Sequence, residues 1–139
     1  MPSLVGSEMC IRDRFWTLWK SIGTDGLEQI IDQQFKLADV ALGYLRSNPD
    51  YKLYSFDDSV SICFNYKDID PTELCTALYE HQVTVVGFGT FQDEIFVRLV
   101  TINANNEEID ILNFFKVLEE FVAKNPELKR VEEVVQDRL

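Results

Sequence analysis

One histidine, three cysteines and a shortage of basic residues set the first limits on this chain of 139 residues. His81 has no cysteine or second histidine at a useful spacing, so neither a histidine–cysteine dyad nor a histidine metal cluster is indicated. Near a helix end and beside Gln82, it suits the negative end of the helix dipole. Cys10, Cys63 and Cys75 are odd in number and form no Cys-x-x-Cys or other metal-binding spacing. They read as reduced thiols of a cytoplasmic protein, with Cys63 and Cys75 filling core space. No apolar run reaches the ~18 residues that a membrane helix needs. The amino end has no basic stretch followed by an apolar one, so a secretory signal is not expected. Lys and Arg number 13 against 24 Asp and Glu, and the resulting charge of −11 would repel nucleic acid and anionic membranes. Most of that charge is expected on solvated helix faces.

What is present is the composition of a packed protein. An apolar share of 46% and an aromatic share of 12% predict a single globular domain with a real core. Residues 1–14 stand apart from it. They hold no sustained period of 2 or 3.6, and they resemble translated adapter sequence at the ends of environmental gene fragments. They are expected to be a non-native or disordered leader, with the domain proper spanning residues 15–124 and a tail spanning 125–139.

From Phe15 the pattern is clear. Phe15, Trp16, Leu18, Trp19 and Ile22 make a short apolar helical segment, interrupted at Gly23-Thr24-Asp25-Gly26. Asp25 and Glu28 have capping-box spacing for a second helix, whose inner face would be Leu27, Ile30, Ile31, Ala38, Ala41, Leu42 and Leu45. Asn48-Pro49 ends it. A short strand over Leu53 to Phe56 and a turn at Asp57-Asp58 follow. Val60, Ile62, Phe64 and Tyr66 then alternate with more polar residues, the period of a half-buried strand. Asp70-Pro71-Thr72-Glu73 is a helix start, with Leu74, Cys75, Leu78 and Tyr79 facing inward. Val83 to Phe91 and Ile95 to Ile102 read as an antiparallel hairpin across Gln92-Asp93-Glu94. A last long helix is predicted from Asn106 through Ile109, Leu112, Phe115, Leu118 and Val122, ending before Asn125-Pro126. Residues 127–139 read as an amphipathic terminal helix. The order predicts an α+β fold: an antiparallel sheet of about four strands covered by helices.

Arg98 is the residue most informative about chemistry. It lies in a strand whose faces, Ile95, Val97 and Leu99 on one side and Phe96, Val100 and Ile102 on the other, are both apolar, which predicts a central strand. A buried guanidinium there needs an anion, either one of this chain's carboxylates or the carboxylate of a ligand. Gly87-Phe88-Gly89 in the neighbouring strand indicates either a bulge or a close approach by another backbone or a ligand. The Gly23–Gly26 stretch lacks the lysine and preceding strand of a phosphate loop. Glu107-Glu108-Ile109-Asp110 opens a helix, where acids complement the dipole, and does not read as a metal site.

Four blocks carry a resemblance. Phe15-Trp-Thr-Leu-Trp-Lys-Ser-Ile-Gly-Thr-Asp-Gly-Leu-Glu28, Val60-Ser-Ile-Cys-Phe-Asn-Tyr66, Val86-Gly-Phe-Gly89 and Phe96-Val-Arg-Leu-Val-Thr-Ile-Asn103 resemble, in order, the last quarter of group II pyridoxal-phosphate-dependent amino-acid decarboxylases. The last block looks most like the branch acting on acidic amino acids, glutamate or aspartate. The resemblance implies the small C-terminal domain of a fold-type I pyridoxal-phosphate enzyme, packed beside a large cofactor domain in a cytoplasmic homodimer. It gives Arg98 the substrate carboxylate, with Gly87, Phe88 and Gly89 as possible lining. It also implies that pyridoxal 5'-phosphate is bound elsewhere, on a lysine in a Ser-x-His-Lys type sequence that this chain lacks. The chain alone is therefore expected to be inactive. The rival readings are a free-standing α+β domain that binds an amino acid or organic acid, and a structural or dimerising domain using the Phe15–Ile22 segment.

Overall fold

The computed structural model describes residues 5–128. They fall into two compact units divided between Gln33 and Gln34. In chain order the elements are α1 (Val5–Ser47), β1 (Tyr51–Leu53), β2 (Ser61–Tyr66), α2 (Pro71–Glu80), β3 (Gly87–Phe91), β4 (Glu94–Val100) and α3 (Glu108–Lys124).

In the first unit, α1 starts at Val5, inside the stretch where the sequence shows no helical period, and breaks at Gly23. There φ is 72° and ψ −176°, a conformation that glycine adopts without a Cβ clash. Gly26 serves the same break in another way: a Cβ on it would lie 2.8 Å from Ile22 Cβ. The Trp19 indole N–H donates to Thr24 Oγ1 across the break at 3.2 Å. Phe15, Trp16, Leu18, Trp19 and Ile22 are all exposed. The aromatic segment is thus helical as expected, but its side chains stay in solvent, with Phe15 and Trp19 edge to face at 5.6 Å.

The second unit is one antiparallel sheet in the order β1-β2-β4-β3, so β4 is interior and β1 and β3 are edges. Its helix-facing side carries Tyr51, Ile62, Phe64, Tyr66 and Val97, all buried. Leu37, Ala38, Ala41, Leu42 and Leu45 of α1, Leu74 and Leu78 of α2, and Phe115 and Leu118 of α3 complete the core against them. Every described helix of this unit packs on that one side, and none of them lies over the opposite side of the sheet. The predicted starts hold: Asp70 Oδ1 accepts from the Glu73 backbone N–H at 2.9 Å, and the Glu107 N–H donates to Asp110 Oδ2 at 2.8 Å. Thr101, buried as the chain leaves β4, donates its hydroxyl to Gln34 O at 3.1 Å.

Three helix faces differ from the sequence reading, beginning with α1, where Ile31 is exposed and Leu27 and Ile30 are half-buried. The inner face of α3 is Ile111, Phe115, Leu118 and Phe121, whereas Ile109 is exposed and Leu112 and Val122 are half-buried. The i+4, i+3, i+3 series from Ile111 and the series from Ile109 are both apolar, and packing chose the one centred on Phe115. In α2, Tyr79 turns outward while Leu74, Cys75 and Leu78 are buried. The terminal helix expected over 127–139 lies, beyond Leu128, outside the described residues.

A polar knot ties α1, β1 and α3 together beside this core. Glu119 Oε1 accepts from Tyr44 Oη at 2.7 Å, Tyr51 Oη at 3.0 Å and Asn48 Nδ2 at 3.4 Å. Tyr44 stacks on Phe115 with ring centroids 4.7 Å apart. Burial, and then the Glu119 carboxylate, push the Tyr44 hydroxyl from 10.0 up to about 12 and raise Tyr51 further still. Below pH 10 both tyrosines are protonated whether folded or unfolded and contribute no pH dependence. Above it the unfolded chain loses protons that the folded chain keeps, so stability falls as pH rises from 10 through about 12. Urea unfolding across that window should show the decline, and Tyr44→Phe with Tyr51→Phe should flatten it. Glu119→Ala, which strands two hydroxyls, should cost about 2–4 kcal/mol in the same measurement at neutral pH.

Candidate functional site

The face of the sheet without this unit's helices is where three of the sequence-selected residues, Gly87, Gly89 and Arg98, meet. Val97 is buried against the helices, so its neighbours Phe96 and Arg98 stand on the opposite side. The register sets Arg98 opposite Cys63 of β2 and Gly87 of β3, which gives a row Cys63–Arg98–Gly87 across three strands. Gly89 lies opposite Phe96.

Arg98 corrects one expectation and meets another. Its strand is interior, as the two apolar faces predicted, but its side chain is exposed. The apolar residues of the second face mark a surface left open by the described helices of this unit, and not a second buried layer. The ion-pair alternative also falls. The salt bridges of the described residues involve Lys36, Arg46, Lys52, Lys67 and Lys124, and no described carboxylate pairs with Arg98.

The glycines divide. Strand β3 runs in unbroken register from Gly87 to Phe91 against β4, so the bulge reading is not what the structure adopts. Nor is it a backbone or a ligand that comes close at Gly89: a Cβ there would lie 2.9 Å from Phe96 Cε2, so the Phe96 ring of the neighbouring strand occupies the missing side chain's place. Phe88, by contrast, pairs with Val97 and points to the helix side, away from Arg98. It leaves the candidate site, and only Gly87 and Gly89 share the arginine's face.

Sequence reasoning did not single out Tyr54 or Asn65. The Tyr54 and Phe96 rings lie 5.6 Å apart and cover one end of the bare face. Asn65, buried there, donates from Nδ2 to Ile95 O at 2.9 Å and to Tyr54 Oη at 3.2 Å, while its Oδ1 has no partner. Tyr54 Oη reaches Glu94 Oε2 at 3.0 Å. An asparagine in the outward phase of a strict period-2 strand was the available signal. Three surface clefts of about 400, 320 and 440 Å³ are lined by other residues, none of them Arg98.

A Schiff-base lysine must be sheltered enough to lose its proton readily. Lys20, Lys36, Lys52, Lys67, Lys116 and Lys124 are all exposed. Lys52 and Lys67 are pushed the opposite way, upward, chiefly by hydrogen bonding with Tyr54 and Tyr66. The described residues therefore do not fit pyridoxal phosphate as a covalent cofactor. Among them there is also no group of acidic, histidine or cysteine side chains that could hold a metal ion, and no helix long and apolar enough to cross a membrane.

A four-stranded antiparallel sheet with this unit's helices on one side and an arginine at the centre of the other defines the class: a small α+β domain. No protein-family model matches the chain. A stretch of 53 residues, 38% of this chain, is 30% identical to 10% of the acidic amino acid decarboxylase GADL1 of Mus musculus. In three dimensions the chain resembles mouse CSAD, with a TM-score of 0.67 and 23% identity over 76% of this chain and 26% of that one. It resembles Oryza sativa TDC, solved with PLP and tryptamine, at a TM-score of 0.67 and 14% identity over 78% of this chain and 26% of that one. The chain thus spans about a quarter of the solved chains it matches. These likenesses bear out both the expected fold class and the resemblance to the C-terminal part of pyridoxal-phosphate-dependent decarboxylases.

The Asn65 arrangement is open to test. Asn65→Ala strands the Ile95 carbonyl and should lower stability by about 1–3 kcal/mol in urea unfolding. Glu94→Gln touches exposed pairs and should change it by less than about 1 kcal/mol.

Proposed function

We propose that this chain is the small C-terminal domain of a pyridoxal-phosphate-dependent decarboxylase that releases carbon dioxide from an acidic amino acid, glutamate or aspartate in the first place, with Arg98 holding a substrate carboxylate. The observation that carries the reading is the unpaired guanidinium at the centre of a sheet face that none of this unit's described helices covers. In water an exposed arginine binds a carboxylate weakly. Once a second surface covers that face and removes the water, the same guanidinium demands an anion, and planar bidentate pairing with a carboxylate supplies it. The likeness to GADL1, named as an acidic amino acid decarboxylase, supports the acidic substrate. TDC was solved with tryptamine, so a shared fold leaves the amino acid open, and the Phe96 to Asn103 block carries the choice.

Pyridoxal phosphate, seen in the TDC structure, supplies the electron sink for the charge left when carbon dioxide departs. In this reading the lysine that holds it lies outside the described residues. Assembly as a homodimer and a cytoplasmic location belong to the same proposal and rest on the resemblance. Residues 15–128 by themselves contribute carboxylate recognition and no decarboxylation. The sensor reading has less support, because none of the three clefts encloses Arg98.

In the full-length enzyme containing this domain, Arg98→Ala should lower kcat/KM by about 100-fold or more, the scale of a lost charged hydrogen bond. An unchanged kcat/KM would remove the assignment. The 139-residue chain titrated with glutamate or aspartate should give no saturable binding, whereas saturation would favour the sensor. Treated with pyridoxal phosphate and then borohydride, it should be labelled diffusely over its exposed lysines and at no single site.

A further inference from the structure

Edge strand β3 carries two glycines on the bare face, and the domain itself explains one of them. Gly89 yields its side-chain space to the Phe96 ring. At Gly87 an added Cβ would meet nothing within 4 Å, and the backbone there is outside the left-handed region. Nothing in the described residues requires glycine at that position, although a strand interior disfavours it for its freedom and its lack of packing. What Gly87 does have is the register position opposite Arg98.

Directly opposed Cβ atoms in an antiparallel pair stand roughly 4.5–5.5 Å apart, so a side chain at Gly87 would fill the open space beside the arginine's stem, with no protein atom within 4 Å of its first carbon. Cys63 already closes the row on the other flank. The gap in the row lies over Gly87, one side chain wide. A carboxylate pairing with both nitrogens of a guanidinium lies in its plane, and an approach in that plane needs open width on one side.

We propose that Gly87 is a specificity-determining residue: its missing side chain is the notch through which the carboxylate end of the substrate reaches Arg98. The inference rests on the reading of Arg98 as the carboxylate ligand and names the residue that shapes that same site. Its role is to leave room, so added volume harms binding in proportion, and a single methyl group is enough to be felt.

The test compares substitutions at both glycines and at the arginine. In the full-length enzyme containing this domain, Gly87→Ala should raise KM for the amino-acid substrate by about tenfold and Gly87→Val by more, with kcat changing far less. In the 139-residue chain, Gly87→Ala should leave Tm unchanged or raise it, whereas Gly89→Ala should lower it by displacing Phe96. A Gly87→Val enzyme with KM within about twofold of the parent, or one that loses kcat at constant KM, would overturn the proposal. So would a fall in Tm for Gly87→Ala in the chain, because glycine would then be a demand of the fold. Arg98→Lys is measured alongside. If it impairs the enzyme while Gly87→Val does not, the notch is wrong and the arginine reading stands; if Arg98→Lys is harmless, the reading beneath both is lost.

Discussion

Phe64 on β2 and Phe115 on α3 meet with ring centroids 5.7 Å apart, and the second unit is organised around that contact. Both rings are fully buried, as are Leu37 and Leu45 of α1 and Leu74 and Leu78 of α2. Burying one sheet face beneath three helical segments is the main source of favourable free energy available to a unit of this size. It also fixes the phase of every strand. With Ile62, Phe64 and Val97 turned to the helices, Cys63, Phe96 and Arg98 must take the other side. The position of the arginine follows from the packing of its neighbours.

The uncovered side is not a uniform surface. At one end Tyr54 and Phe96 fold over the sheet, and Asn65 is held beneath them by hydrogen bonds. In the middle, Arg98 stands between a half-buried thiol and a glycine with open space above it. The first arrangement fixes the backbone around β4 from inside this chain. The second is completed by nothing among the described residues, which is the physical content of calling it a site.

How much of this the sequence disclosed depended on how local each determinant was. The period-2 run from Val60 to Tyr66, the Asp70-Pro71 helix start and the Gly23 break all rest on neighbouring residues, and all were readable. The burial of Arg98 was misjudged because apolar residues on both faces of a strand reveal that both can be covered, and not whether this chain supplies both covers. The inner face of α3 was rotated because Ile109 and Ile111 begin two equally apolar series, a tie broken only by the sheet. The side Phe88 faces was beyond reach until the register of β3 was known, and so were the separate roles of Gly87 and Gly89. Asn65 looked like an ordinary outward polar residue. Its burial depends on a tyrosine 11 positions away and a carbonyl 30 positions away.

The knot at Glu119 has a consequence for the order in which the protein can form. The two tyrosines and the asparagine that converge on its oxygen precede it by 75, 68 and 71 residues. During synthesis from the amino end, α1 and the whole sheet leave the ribosome before the acid that joins them and before Phe115, the ring against which they close. Loops of that length are slow to shut, and contacts so distant reward the chain late. The nascent unit therefore waits with its inner sheet face covered only by α1 and α2 until α3 arrives, an interval in which a holding chaperone has the most to grip.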